Sequence, residues 1–197
     1  MKKILTFVFA CTALLSVSAA DTFFRVDMDA RKDKVVLKPE ASEKMNATPI
    51  GWIKDVDARK YTITSWSKKK VSGTEWEDYK IVFVPATSGS IALSIGGQWA
   101  KKPEDRQWLL VNKIELNDKL YPNGDFKKTW KTKNGQVMPN GAWLSKGAKY
   151  LPTAGEKGTP AILVNHDNRL YITMKVEGGK EYELGFEVKA ANPNDFK

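Results

Sequence analysis

The chain has 197 residues, a formal net charge of +9 and a single cysteine, Cys11. This length is enough for one sizeable domain, and one cysteine excludes both an internal disulfide framework and a cysteine-rich zinc site. The excess of Lys and Arg favours acidic partners such as anionic polysaccharide or phospholipid headgroups, although the same charge also serves to keep a surface soluble.

The first 20 residues have the pattern of a secretory signal peptide. Lys2 and Lys3 precede a mostly apolar run over residues 4–15, and small residues follow at 16–20. The pattern predicts cleavage after Ala19 or Ala20, and the apolar run is too short for a membrane span. We therefore expect a secreted or periplasmic protein of residues 21–197 with no membrane span.

Alternating apolar and polar residues predict antiparallel strands along the rest of the chain, because such alternation buries one face of a strand and leaves the other wet. The predicted strands lie at residues 23–26, 35–37, 61–66, 79–83, 91–95, 162–164, 170–176 and 182–188. No long helical period is present. The fold class is therefore predicted to be all-β, an antiparallel sandwich or jelly roll.

Turn-forming residues separate the predicted strands at Thr87–Ser90, Pro122–Gly124, Pro139–Gly141 and Glu177–Lys180. The adjacent glycines of Glu177–Lys180 predict a tight hairpin. No Pro-, Gly- or Ser-rich linker divides the chain, and the one soft midpoint lies near residues 117–120. We expect a single domain over 21–197, because half of this length would bury only a thin core.

Several motifs resemble those of carbohydrate-binding modules with the galactose-binding-like jelly-roll fold. Asn123-Gly124-Asp125-Phe126 followed by Trp130 is similar to their opening turn, and residues 179–190 are similar to a long strand that follows it. Trp76, Tyr79 and Phe83 match the spacing of a strand in their closing half.

The two halves stand in the reverse order, since the part similar to the closing half (75–116) precedes the part similar to the opening half (119–190). The resemblance therefore implies a circularly permuted jelly roll whose chain ends lie close together. It also implies noncovalent carbohydrate binding, and a Trp130 side chain that packs inside.

The resemblance further implies a structural calcium held by acidic residues at the junction of the two halves. Lys127, Asn112 and Lys113 occupy the places where those acids are common. Lysine repels a divalent cation, and Ca²⁺ requires several oxygen ligands. The sequence therefore argues against this calcium site, and no cofactor is expected.

Catalytic patterns are weak in this sequence. The single histidine, His166, lies in the polar stretch Asn165–Asn168, which is typical of a turn between strands. One histidine without a nucleophile motif does not make a serine hydrolase, and the pairs Glu75 with Glu77 and Glu104 with Asp105 are expected to be solvated charges. A polysaccharide lyase would need a cluster of His, Tyr, Arg and Gln that the sequence does not assemble.

The seven tryptophans carry the functional prediction. Flat indole rings stack on the C–H faces of sugars, while amides and charged groups bond the hydroxyls. Strand patterns predict that Trp76 and Trp108 pack in the core. Loop tryptophans are better candidates for binding, and the predicted ligand-binding residues are Trp99, Trp143, Trp52, Gln98 and Arg106.

The sequence thus predicts a secreted, non-catalytic protein that binds a polysaccharide or glycan, with an acidic glycan favoured by the net charge. The basic run at 127–133 would suit nucleic acid in another compartment, but export argues against that partner. The alternative is an envelope structural or protein-interaction sandwich without a sugar site. A polysaccharide lyase or other glycan-active enzyme is the third reading.

Overall fold

A computed structural model of the chain describes residues 22–39, 47–49 and 60–196. The predicted signal peptide, Cys11 and Trp52 lie outside these residues. Within them the fold is all-β and antiparallel, which confirms the predicted fold class, and the helical segments are short 3-10 turns at Pro103–Asp105, Glu156–Gly158 and Pro193–Phe196. No helix in this part of the chain has the length and apolar character needed to cross a membrane.

The strands of the described chain fall into two large sheets and one two-stranded ribbon. In chain order they are β1 (Phe24–Asp29), β2 (Leu37–Pro39), β3 (Ala47–Pro49), β4 (Thr62–Ser67), β5 (Glu77–Pro85), β6 (Gly89–Gly97), β7 (Trp108–Leu116), β8 (Lys119–Leu120), β9 (Thr129–Lys131), β10 (Val137–Pro139), β11 (Ala142–Leu144), β12 (Lys149–Leu151), β13 (Ala161–Val164), β14 (Leu170–Val176) and β15 (Tyr182–Ala191). The six-stranded sheet has the order β11-β14-β6-β1-β4-β3, and the seven-stranded sheet has the order β12-β13-β7-β15-β5-β2, with β8 also paired to β7. The ribbon is formed by β9 and β10.

The hydrophobic core lies between the two large sheets. In β1, β4 and β14, buried side chains alternate with side chains that are partly or fully exposed, as the period-two pattern predicts. Phe24 of β1 contacts two rings of the opposite sheet, with centroids 4.4 Å from Tyr79 and 5.5 Å from Phe186. Both sheets therefore contribute to one apolar interior, arranged as a sandwich.

The buried hydroxyl of Tyr79 is accommodated inside this core by Ser65. The two side-chain oxygens are 3.0 Å apart, which satisfies both polar groups away from water. Burial raises the pKa of Tyr79 far above its ordinary value, so the phenol stays protonated and serves as a hydrogen-bond donor in the core.

The turn at Glu177–Lys180 does not form the predicted hairpin. It joins β14 of the six-stranded sheet to β15 of the seven-stranded sheet, so the chain crosses the sandwich here. The turn at Thr87 makes the same kind of crossing between β5 and β6. The two crossings pack together, and the Gly178 backbone amide donates to the Ser88 hydroxyl at 3.1 Å. A glycine pair signals a tight turn but does not specify which strands pair.

The start of the described chain lies close to the end of β15. The amide of Val71 donates to the carbonyl oxygen of Thr22 at 2.7 Å. Ser72, which follows Val71, accepts at its carbonyl oxygen from the amide of Ala190 at 2.8 Å. The start of the described chain and the end of β15 therefore flank the same two residues. A permuted chain order requires this closeness, and the permutation itself stays a prediction.

Trp76 and Trp108 do not enter the main core as predicted. Both are partly buried against a small separate cluster of Leu110, Ala161, Leu163 and Ala191. These four residues alternate along their strands with residues of the main core, so they lie on the outer face of the seven-stranded sheet. The outer face of the six-stranded sheet differs from this one, because it carries the exposed aromatic side chains Trp143 and Tyr171.

Candidate functional site

A continuous row of side chains crosses the outer face of the six-stranded sheet. The strand register places five residues directly opposite one another in turn: Trp143, Tyr171, Ser94, Asp27 and Thr64. Neighbouring strands are about 4.8 Å apart, so the row spans about 19 Å. Because inward positions alternate with outward ones, all five side chains lie on the side away from the core.

Aromatic side chains form one end of this row, and we call Trp130, Trp143 and Tyr171 the aromatic platform. Their exposed fractions are 43%, 55% and 39% respectively. The rings of Trp130 and Trp143 have centroids 6.4 Å apart and planes tilted by 43°. The prediction that Trp130 packs inside is therefore wrong. Trp130 belongs to the separate two-stranded ribbon and not to either of the two sheets that enclose the core.

The ribbon brings Trp130 to Trp143 through a tight turn. Trp130 of β9 lies opposite Met138 of β10, whose side chain is buried in the core. The chain then turns at Asn140 and Gly141, where φ is +78°. Glycine has no Cβ to oppose this conformation, so the turn is tight enough to start β11 two residues after Asn140. Trp143 is the central residue of that strand.

Asn123 fixes the base of the ribbon from outside. Its side-chain amide donates to the carbonyl oxygens of Lys128 and Asn140, each at 2.9 Å, and its side-chain oxygen accepts from the Lys128 amide at 2.8 Å. One side chain thus holds the residues that flank both strands of the ribbon. The turn at 123–126, which resembles a family motif, therefore positions Trp130 of the aromatic platform.

Polar side chains form the middle of the row, and we call Asp27, Thr64, Ser94 and Arg169 the polar network. The Arg169 guanidinium donates to Asp27 at 2.6 Å and to Ser94 at 3.0 Å, and the Thr64 hydroxyl donates to Asp27 at 2.7 Å. Only 12% of the Arg169 side chain is exposed. These bonds hold polar groups in fixed orientations one to three strands away from Tyr171.

Arg25 closes the far end of the polar network. It pairs with Asp27 at 2.8 Å, and its guanidinium carbon lies 5.1 Å from the ring centroid of Trp66, a cation–π geometry. Asp27 therefore accepts hydrogen bonds from two arginines and a hydroxyl. A carboxylate held in this way suits structural support and ligand orientation better than proton transfer.

The predicted site residues that the structure describes lie in two places, the segment between β6 and β7 and strand β11. Trp99 and Gln98 are exposed just after β6, with Trp99 at 55%, and in the described structure the Trp99 ring contacts no other aromatic ring. Arg106 forms a salt bridge with Asp167 and donates to the carbonyl oxygen of Ala100. It therefore braces the loop after β6. Of the two predicted tryptophans that the structure describes, Trp143 lies next to a second exposed ring and Trp99 does not.

His166 lies in the polar turn between β13 and β14, as the sequence indicated. Its Nδ1 is 2.9 Å from the carboxylate of Asp167, but Arg106 already neutralises that carboxylate. Burial, together with the positive charges of Arg169, Arg25 and Arg106, lowers the pKa of His166 below its ordinary value. The imidazole is therefore neutral at neutral pH.

This turn should make the folded state sensitive to mild acid. Because the pKa of His166 is lower in the folded state, the unfolded chain binds more protons as the pH falls below about 6.5. We expect the melting temperature to fall between neutral pH and about pH 5, and His166→Gln to reduce that fall. Thermal melts at a series of pH values measure both, and an equal fall in the two proteins would contradict this role.

The carboxylates of the described residues bear on the calcium site that the resemblance implies. The described residues contain no group of three or more His, Cys, Asp or Glu side chains placed to hold a metal ion. Asp125, the acid of the motif turn, pairs with Lys127 at 2.9 Å. The acid of this turn is therefore already paired with a lysine, and calcium binding stays untested.

A cleft of about 260 Å³ lies elsewhere, lined by Ser67, Lys68, Lys69, Val71, Glu77, Asp78, Tyr79 and Val188. Lys69 and Glu77 pair at 3.0 Å among these residues. The one aromatic ring there, that of Tyr79, is buried in the core. The cleft therefore offers no exposed ring for stacking, and the outer face of the six-stranded sheet is the better candidate.

Comparisons of the chain with models of protein families, with curated proteins and with solved structures found no match. The resemblance to carbohydrate-binding modules thus stays a prediction, and the functional argument depends on the geometry of the site.

Proposed function

We propose that this protein is an exported, non-catalytic protein that binds a polysaccharide or glycan on the outer face of its six-stranded sheet. The observation that carries the proposal is the pair of exposed indoles, Trp130 and Trp143, held 6.4 Å apart beside the exposed Tyr171. Exposing three large rings to water at one place is costly for a folded chain unless a ligand covers them.

The arrangement of rings and polar groups matches what a sugar offers. Sugars present apolar C–H faces and hydroxyl edges, so they need flat rings for stacking and fixed polar groups for hydrogen bonding. The aromatic platform supplies the rings. Ser94, Arg169 and Asp27 supply fixed donors and acceptors within two strand spacings of Tyr171, which is about 10 Å. A ligand of several sugar units could contact both parts.

The runner-up is a protein-interaction domain of the cell envelope that uses the same surface. Exposed aromatic rings are also enriched at protein interfaces. A stable protein interface buries about 800 Å² on each partner. The fixed polar network beside the rings favours a hydroxyl-rich ligand over a protein surface.

A glycan array followed by a tryptophan fluorescence titration tests the proposal. We expect at least one polysaccharide to bind the purified protein and to shift its tryptophan emission, since the ligand would cover exposed indoles. If no glycan of any charge binds while a partner protein is recovered from envelope extract with an affinity that depends on Trp143, the surface serves the runner-up function. Product formation from a bound polysaccharide would support the enzyme reading instead.

A further inference from the structure

The segment that carries the two platform tryptophans is strongly basic. Residues 126–155 contain six lysines and no Asp, Glu or Arg: Lys127, Lys128, Lys131, Lys133, Lys146 and Lys149. Both Trp130 and Trp143 lie inside this stretch. Lys128, Lys131 and Lys133 are each within three residues of Trp130, so their backbones lie within about 11 Å of it.

Most of these charges have no acidic partner. Lys127 pairs with Asp125, and Lys149 donates to the carbonyl oxygen of Phe196 at 3.4 Å. Over the part of the chain that the structure describes, no carboxylate lies within salt-bridge distance of the other four lysines, and all four are exposed. Four exposed lysines without an acidic partner therefore lie close in sequence to the two tryptophans of the aromatic platform.

The outer face of the seven-stranded sheet shows the opposite arrangement. There Lys80 pairs with Glu183 at 2.5 Å, and Lys113 pairs with Glu115 at 2.6 Å and with Glu187 at 3.4 Å. Lysines on that face thus alternate with acids and largely cancel. The positive charge is unbalanced beside the exposed rings, which argues against a uniform coat of lysine that serves solubility alone.

We infer that the aromatic platform selects an acidic polysaccharide, one that carries carboxylate or sulfate groups, and that Lys128, Lys131 and Lys133 contact those groups. The inference rests on the proposed function, because it assigns the ligand class of the same site. Stacking on Trp130 and Trp143 would hold the sugar rings. The lysines would pair with the carboxylate or sulfate groups, which a neutral sugar lacks. Unbalanced positive charge also raises the local concentration of a polyanion.

The test compares binding of uronate and sulfated polysaccharides with binding of the same polymers after carboxyl reduction or desulfation. We expect the acidic forms to bind about tenfold more tightly, since three exposed charge contacts together supply roughly that factor. The difference should shrink between about 0.1 M and 1 M salt, where the screening length falls from about 10 Å to 3 Å.

Two triple variants with the same change in net charge localise the effect. Lys128, Lys131 and Lys133 are replaced by Gln in one, and the exposed Lys32, Lys68 and Lys70 are replaced by Gln in the other. We expect the first variant to lose about tenfold in affinity for the acidic polymer and to keep its affinity for the neutral one. We expect the second variant to bind both polymers as the unmodified protein does.

The possible failures are distinguishable. Equal binding of acidic and neutral polymers, or equal losses in the two triple variants, would overturn the charge inference and leave the proposed function standing. Absence of binding to every polymer of either charge would overturn the proposed function and the inference together. Circular dichroism of both variants checks that the fold is retained, as is expected for exposed lysines.

Discussion

Replacing both Trp130 and Trp143 by alanine should abolish glycan binding while the protein stays folded. A central aromatic contact in a binding site typically contributes at least about 2 kcal/mol, so each single variant should bind about 30-fold more weakly. The cost to folding should be small, because Trp130 and Trp143 are 43% and 55% exposed. Titration calorimetry measures the affinity and thermal melting measures the stability.

Trp99→Ala is the matched control for this experiment, because Trp99 and Trp143 have the same exposed fraction of 55%. The two substitutions remove the same exposed ring from different places. We expect Trp99→Ala to leave the affinity within about twofold, a change of under 0.5 kcal/mol. A loss at Trp99 as large as that at Trp143 would show that the platform is not the site, and a loss at Trp99 alone would move the site to the loop after β6.

Replacing Gly124 by alanine should be among the most destabilising single changes in the protein. Gly124 is buried in the turn that carries Asn123, and an added Cβ would overlap the backbone carbonyl oxygen of Ile114 and lie 3.0 Å from that of Tyr121. Because both neighbours are backbone atoms, the turn must move. We expect a loss of about 3 kcal/mol in the free energy of unfolding, measured by urea titration.

The same substitution should also weaken glycan binding, since Asn123 holds both strands of the ribbon that presents Trp130. Gly185→Ala is the control, because a Cβ there meets only Glu115 side-chain atoms at 3.6 Å and beyond. Alanine at position 185 should change the stability by less than about 1 kcal/mol. If Gly124→Ala were as mild as Gly185→Ala, the turn would not constrain the site as described.

Most of the strands could be predicted from the sequence because each strand leaves a local pattern. Alternation of Leu170, Ile172, Met174 and Val176 predicts β14 and states which of its faces is buried, and the structure agrees. The same pattern does not identify the partner of a strand. Glu177–Lys180 was therefore predicted to close a hairpin, whereas it carries the chain from one sheet to the other.

The aromatic platform could be predicted only in part. The turn at Pro139–Gly141 makes Trp143 a candidate in the sequence, whereas the family resemblance alone places Trp130 in the interior. Tyr171 is absent from the residues predicted to bind ligand. Its outward position in the clear alternation of β14 could have indicated it. A large aromatic residue at an outward position of a confidently predicted strand therefore merits attention in similar chains.

The polar network could not be predicted from local patterns. Arg169 and Asp27 are 142 residues apart in the chain, and nothing near either residue indicates the other. They meet because β1 and β14 both pair with β6, which is a property of the strand order. For the same reason the sequence near Arg106 does not indicate its salt bridge with Asp167 across two loops. Ligand binding by Arg106 stays a prediction.

The most direct test of the central claim follows the indole N–H resonances of the tryptophans by NMR during titration with a bound polysaccharide. We expect the signals of Trp130 and Trp143 to shift with the ligand, while those of Trp76, Trp99 and Trp108 stay in place. Shifts confined to Trp99, or to tryptophans other than the platform pair, would contradict it.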